Sequence, residues 1–219
     1  VEWLLELAAR PHEADRIEVF RIDDPDVLGL LGRRGDRRWF AFEAVGPKVE
    51  ELDAQARRAD AVEPGQRTRF ERAVLELHRK VSYYQRLKNT WALDDTKVGA
   101  AEIADFETAL AESGGPHASH AGAKLKPAQR AALERLMGLA QRWQFMAEAA
   151  AFRPIPPAAG TPAEAWTTPG EALLAPLTLG TPVPAASKAY AAALDAWRAG
   201  DRGAFAARTR DLTALFAAE

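Results

Sequence analysis

An apolar stripe between Arg67 and Trp91 constrains the fold of this chain more than any other feature of its sequence. Its members recur at intervals of three or four residues: Phe70, Val74, Leu77, Val81, Tyr84, Leu87 and Trp91. This spacing places all of these side chains on one side of an α-helix. A helix with one long apolar face has to bury that face against other elements. The stripe therefore predicts a helical core built around residues 67–91.

A second strong pattern predicts a helix from Pro127 to about Phe152. Its apolar residues repeat at intervals of three and four: Leu133, Leu136, Ala140, Trp143 and Ala147. Shorter or weaker patterns of the same period predict further helices over residues 2–10, 25–31, 47–59, 100–111, 185–199 and 201–218.

One region is typical of β-structure. Residues 17–22 alternate apolar and charged side chains at period two, which indicates a half-buried strand. Residues 38–42 are a second candidate strand. A predicted helix lies between the two strands, so the sequence leaves open whether they pair. That helix begins at Asp24-Pro25, an N-cap followed by proline at the first helical position. The expected fold class is therefore mainly α, a helical bundle with at most one short β-hairpin.

Proline recurs throughout the segment from Pro154 to Pro184. Such a run opposes a long helix and favours extended backbone. The segment is nevertheless too apolar for a free linker, and we expect it to wrap over the helices with these side chains docked: Trp166, Leu173, Leu174, Leu177 and Leu179. We interpret the chain as one domain with a helical body (1–153), a proline-rich docked segment (154–184) and a C-terminal helical pair (185–219).

Composition excludes several classes of protein. Lys and Arg number 29 against 31 Asp and Glu, a net charge of -2, so no electrostatic argument for a nucleic-acid partner exists. The absence of cysteine excludes disulfides, thiol catalysis, zinc ribbons and covalent haem attachment. No apolar run is long enough to predict a membrane span or signal peptide. The chain begins with Val and stops within a predicted helix, so we interpret it as part of a longer protein.

His117 and His120 are the only weak candidates for a cofactor site. Two histidines three residues apart can direct ring nitrogens toward one metal or a haem iron, but zinc needs further ligands and no carboxylate lies nearby. A solvated loop, the commoner setting, explains them as well, and no metal site is predicted. His12 and His78 are interpreted as surface residues. No catalytic residue is predicted, because nucleophile-elbow, phosphate-loop and zinc-protease motifs are all missing.

Three other features have a structural and a functional interpretation. Met137 and Met146 could ligate haem iron, but their helical setting favours core packing. Tyr83-Tyr84 with Trp91 could form a ledge for a flat ligand, although Tyr84 and Trp91 belong to the core stripe. The arginine-rich residues 33–38 could contact lipid headgroups or haem propionates, and a solvated turn explains them equally well.

Several segments, in order, resemble a known family. The most specific is Phe20-Arg21-Ile22-Asp23-Asp24-Pro25-Asp26-Val27-Leu28-Gly29-Leu30-Leu31-Gly32. The others are residues 2–7, 10–11, 38–43 and 75–87, the proline-rich passage with residues 171–174, and the predicted helix pair around residues 199–205. Together they resemble the large extracytoplasmic region of CcsA-type cytochrome c biogenesis membrane proteins. The resemblance covers most of the chain, with gaps near residues 92–124.

The resemblance implies a non-enzymatic periplasmic domain on the bacterial inner membrane, part of an apparatus that delivers haem to apocytochrome c. The implied partners are apocytochrome c, other cytochrome c assembly subunits and an adjacent membrane domain of the same chain. The tryptophan-rich haem-handling motif of this family does not occur here, so no haem ligand is transferred and this chain itself is expected to bind no cofactor.

Two other hypotheses stay open from the residues alone. The chain could be an unrelated helical module that binds a protein or peptide in a groove between its long helices. It could also bind haem itself through His117 and His120.

Overall fold

The computed structural model describes residues 2–93, 96–114, 125–157 and 165–217. It is mainly α-helical, which confirms the predicted fold class, and the chain forms two compact units, Val1–Arg86 and Leu87–Glu219. The division at residues 153/154 and 184/185 follows composition rather than contacts, and it stays a prediction.

Unit 1 contains helices of very different length and one pair of strands. Its helices are α1 (Glu2–Ala9), α2 (Pro11–Ala14), α3 (Pro25–Leu30), α4 (Phe42–Val45), α5 (Val49–Asp60) and α6 (Arg69–Lys88), the last of which extends into the first residues of unit 2. Its strands are β1 (Glu18–Arg21) and β2 (Trp39–Ala41). Short 3-10 turns cover Gly46–Lys48 and Pro64–Gln66.

The two predicted strands of unit 1 do pair, in antiparallel orientation. Phe20 lies opposite Phe40 and both are buried, whereas Arg21 lies opposite Trp39 and both are exposed. This alternation is the one that the period of two predicts. The predicted helix start is also found, because the Asp24 carboxylate accepts hydrogen bonds from the first backbone N–H groups of α3.

The apolar stripe of α6 is the face that unit 1 buries. Val74, Leu77, Val81 and Tyr84 are all buried, as their spacing predicts. The Tyr84 ring is the centre of an aromatic cluster, with ring centroids at 4.9 to 6.0 Å from Trp3, Phe20 and Phe42. Aromatic side chains bury large areas, so this cluster contributes to the hydrophobic core of the unit.

Unit 2 is built from longer helices. They are α7 (Ala100–Ser113), α8 (Pro127–Ala149), α9 (Pro169–Leu179), α10 (Ala185–Arg198) and α11 (Arg202–Ala217). Helix α8 packs against both α7 and α9, and α10 packs against α11. A second antiparallel strand pair, β3 (Ala92–Leu93) with β4 (Thr96–Lys97), was not predicted from the sequence.

Helix α9 lies where the sequence analysis expected extended backbone. A capping box starts it, because Thr168 and Glu171 bond to each other's backbone N–H. Pro169 occupies the first turn, where its missing N–H costs nothing, and Pro176 is the only proline within the remaining turns. The proline run therefore starts a helix here rather than preventing one. Leu173 is fully buried as predicted, whereas Leu179 is 74% exposed.

The contact between α9 and α8 is exceptionally close at Gly170. A Cβ atom at this position would lie 2.9 Å from the Ala147 Cα, and closer still to the Trp143 carbonyl oxygen and the Ala147 nitrogen. Only glycine lets the first turn of α9 approach the α8 backbone in this way.

Helix α7 is capped from a distant part of the chain. The Asp195 carboxylate on α10 accepts a hydrogen bond from the Ala100 N–H at 2.8 Å. Arg198 bonds to the same carboxylate at 2.6 Å and to the Val98 carbonyl at 3.2 Å. The Asp195–Arg198 ion pair thus supplies a hydrogen-bond acceptor for the first N–H group of α7 and connects this helix to α10.

Candidate functional site

The structure describes two of the four histidines. His117 and His120 lie outside the described residues. His12 is exposed, as expected. His78 is partly exposed and contacts Asp53, with 3.0 Å between Nε2 and Oδ1. Among the residues that the structure describes, no cluster of His, Cys, Asp or Glu is suited to hold a metal ion.

The two methionines differ in environment. Met146 is buried, which confirms the core interpretation, but Met137 is 57% exposed, so that interpretation was wrong for it. The buried face of α8 includes Leu136 and Trp143. Met137 is rotated about 100° from Leu136 around the helix axis, and this rotation turns it away from the core.

The tyrosine pair divides between core and surface. The Tyr84 hydroxyl donates to the Asp15 carboxylate at 2.8 Å. Burial is the larger cause that raises the Tyr84 pKa far above its usual range, and this hydrogen bond adds to it. Trp91 is buried within unit 2, where its ring lies 5.1 Å from that of Tyr190. Tyr83 is 55% exposed. No ledge of three rings is therefore presented to solvent, and Tyr83 alone remains accessible.

The arginine-rich turn of residues 33–38 is largely exposed and partly tied down. Arg37 pairs with Glu18 and lies 5.9 Å from the centroid of the Phe40 ring. Arg38 donates to a backbone carbonyl of the turn at 3.0 Å. These local bonds are those expected of a solvated turn.

A shallow groove on the outer face of α6 combines charge with apolar surface. We call it the basic groove, and it has a volume of about 790 Å³, lined by Arg67, Arg72, Leu75, Glu76, Arg79, Lys80 and Tyr83. Most of these residues follow a second helical stripe, at residues 72, 75, 79 and 83, on the side opposite the buried one. The sequence contains this second stripe, but only the apolar stripe entered the prediction for this helix.

The charges of the basic groove are only partly compensated. Glu76, the only acidic group among its described lining residues, pairs with Lys80 at 2.7 Å. That bond, with a smaller contribution from Arg79, lowers the Glu76 pKa and keeps the carboxylate ionised. Arg79 itself makes no hydrogen bond or ion pair with any residue that the structure describes. An accessible guanidinium therefore stays available in the groove.

A neighbouring cleft shares Arg72, Glu76 and Lys80 with the basic groove but has more carboxylates in its lining. It lies between the end of β1, the start of α3 and α6, with a volume of about 500 Å³. Arg21 pairs with Asp23 at 3.0 Å, and Arg69 pairs with the nearly buried Asp24 at 3.1 Å. Because Arg21 and Arg69 are paired with these carboxylates and Asp24 also caps α3, we interpret this cleft as a structural feature.

Comparison with known proteins identifies no family for this chain. No protein-family model, no curated protein and no solved structure matches this chain. Among the helices that the structure describes, none is both long enough and apolar enough to cross a membrane.

Proposed function

We propose that this chain is the periplasmic domain of a CcsA-type cytochrome c biogenesis protein. In this proposal it is a non-catalytic scaffold or docking surface that supports haem delivery to apocytochrome c. Its partners are apocytochrome c, other assembly subunits and the membrane domain of the same protein.

The observation that carries the proposal is the ordered set of segments that resemble this family. The most specific of them, residues 20–32, forms the end of β1, the cap at Asp24 and α3. Its apolar side chains belong to the core of unit 1: Phe20, Ile22, Val27, Leu28 and Leu31. A resemblance that lies in core residues is a resemblance in fold, so it supports family membership rather than a shared reactive group.

Replacement of residues 2–217 by a flexible linker in the parent gene tests this function. We expect c-type cytochromes to lose covalently bound haem, measured by haem staining of denaturing gels, while b-type cytochromes, which hold haem non-covalently, are unchanged. Normal c-type maturation in a strain that still makes the shortened protein would contradict the proposal.

A binding experiment separates docking from an unrelated role. The purified chain should retain apocytochrome c more strongly than an unrelated unfolded polypeptide of equal net charge. Equal retention of both would favour the alternative, an unrelated helical module that binds peptides.

The expected absence of a bound cofactor has its own test. Hemin titration should give the same Soret shift for the natural chain and for a variant with His117→Ala and His120→Ala. A shift that disappears in the double variant would assign these two histidines as haem ligands.

A further inference from the structure

We propose that the basic groove on α6 is a docking site for an acidic segment of a partner protein, in which Asp or Glu residues flank an apolar side chain. This inference rests on the groove's own geometry and stands independently of the proposed function.

The first argument is charge. Helix α6 contains six Lys and Arg residues against two Glu, although the whole chain carries a net charge of -2. In the groove, Lys80 pairs with Glu76 and Arg67 pairs with Asp60 at 3.1 Å, so Arg72 and Arg79 are the cations that give the groove its positive charge. Arg79 forms no hydrogen bond or ion pair with a residue that the structure describes, although its charge acts on Glu76, and the Arg72 side chain donates to the backbone carbonyl of Arg67. Arginine binds carboxylates through two parallel hydrogen bonds, so both side chains suit Asp or Glu.

The second argument is the apolar surface between these charges. Leu75 and Tyr83 lie one helical turn on either side of Arg79, and more than half of the Tyr83 side chain is exposed. Tyrosine and arginine are the residues most often found, with tryptophan, at the energetic centre of protein interfaces. An apolar partner side chain between two carboxylates would cover Leu75 and Tyr83 while the carboxylates meet the arginines.

The shape and charge distribution favour a peptide over a lipid surface. A bilayer attracts a broad field of uncompensated cations. In the adjoining cleft, Arg21 and Arg69 are paired with Asp23 and Asp24, so these two cations add little to a broad positive field. A shallow groove in which Leu75 and Tyr83 lie among charged side chains can receive a short chain segment.

The test uses the whole chain and a fluorescein-labelled peptide in which Glu residues flank Leu and Phe, with a second peptide carrying Gln in place of Glu. Fluorescence anisotropy should show binding of the Glu peptide that weakens with added salt. Arg79→Glu and Tyr83→Ala should each weaken this binding about tenfold or more. Both side chains are exposed, and circular dichroism checks that the variants fold.

Arg58→Glu is the matched control. Arg58 is exposed on α5 and does not line the groove. Arg58→Glu changes the net charge by the same amount as Arg79→Glu. It should leave the affinity nearly unchanged. Equal binding of the Glu and Gln peptides, or an equal loss in the Arg58 and Arg79 variants, would overturn the inference. So would Arg79-dependent binding to phosphatidylserine vesicles without binding to the peptide, which would assign the groove to lipid.

Discussion

The two units stabilise their central helices in different ways. In unit 1, α6 is held by large side chains that meet around Tyr84. In unit 2, α8 is approached so closely by α9 that the contact at Gly170 is between backbones. A core of large rings fails when a side chain is removed, whereas a backbone contact fails when one is added. Opposite substitutions should therefore damage the two units.

Removal of the Tyr84 ring should have the largest effect. Tyr84→Ala leaves a cavity between Trp3, Phe20 and Phe42 and should lower the free energy of unfolding by about 3–5 kcal/mol. Urea denaturation measures the loss, and hydrogen–deuterium exchange should place it in peptides from unit 1. Faster exchange confined to unit 2 would contradict the assignment of this ring to the core of unit 1.

Addition of a single methyl group should be the most damaging small change in unit 2. Gly170→Ala forces α9 away from α8 and should cost about 3 kcal/mol. Gly138→Ala is the matched control, because a Cβ there meets nothing within 4 Å, and it should stabilise α8 by up to about 1 kcal/mol. Similar effects of the two substitutions in urea denaturation would exclude a close backbone contact at Gly170.

Loss of the distant cap should have an intermediate effect. Asp195→Ala removes the acceptor for the Ala100 N–H and the partner of Arg198, and should cost about 1–2 kcal/mol. Exchange should rise first at the start of α7, although the substitution is on α10. Asp201→Ala, which removes only a local bond to the Ala204 N–H, should leave α7 exchange unchanged.

Alkaline pH should reveal a tyrosine with a raised pKa in each unit. Burial raises the pKa of Tyr84 and of Tyr190, so above pH of about 10 the unfolded chain releases protons that the folded chain retains. The free energy of unfolding should therefore fall as pH rises through this value. Tyr84→Phe and Tyr190→Phe should each make the fall less steep, measured by urea denaturation between pH 8 and 11. An unchanged slope would show that the replaced phenol titrates normally in the folded chain.

The features predicted correctly depend on contacts within one element. The period of the stripe identified the buried face of α6, because helix geometry alone decides which side chains share a face. The alternation in residues 17–22 identified β1, and Asp24-Pro25 marked the start of α3, because a cap bonds to N–H groups two and three residues away. The second stripe of the same helix also follows from its period, but the basic groove was not predicted from it.

Only the tertiary structure decided the remaining features. Glycine is required at position 170 because the α8 backbone lies against it, and the sequence alone does not show this contact. Asp195 caps α7 although 95 residues separate it from Ala100. Met137 carries the same side chain as Met146, but only Met146 is buried. Local bonding rules act within a few residues and can be read from the chain. Packing joins residues that are far apart in sequence, so it is set by how the helices meet.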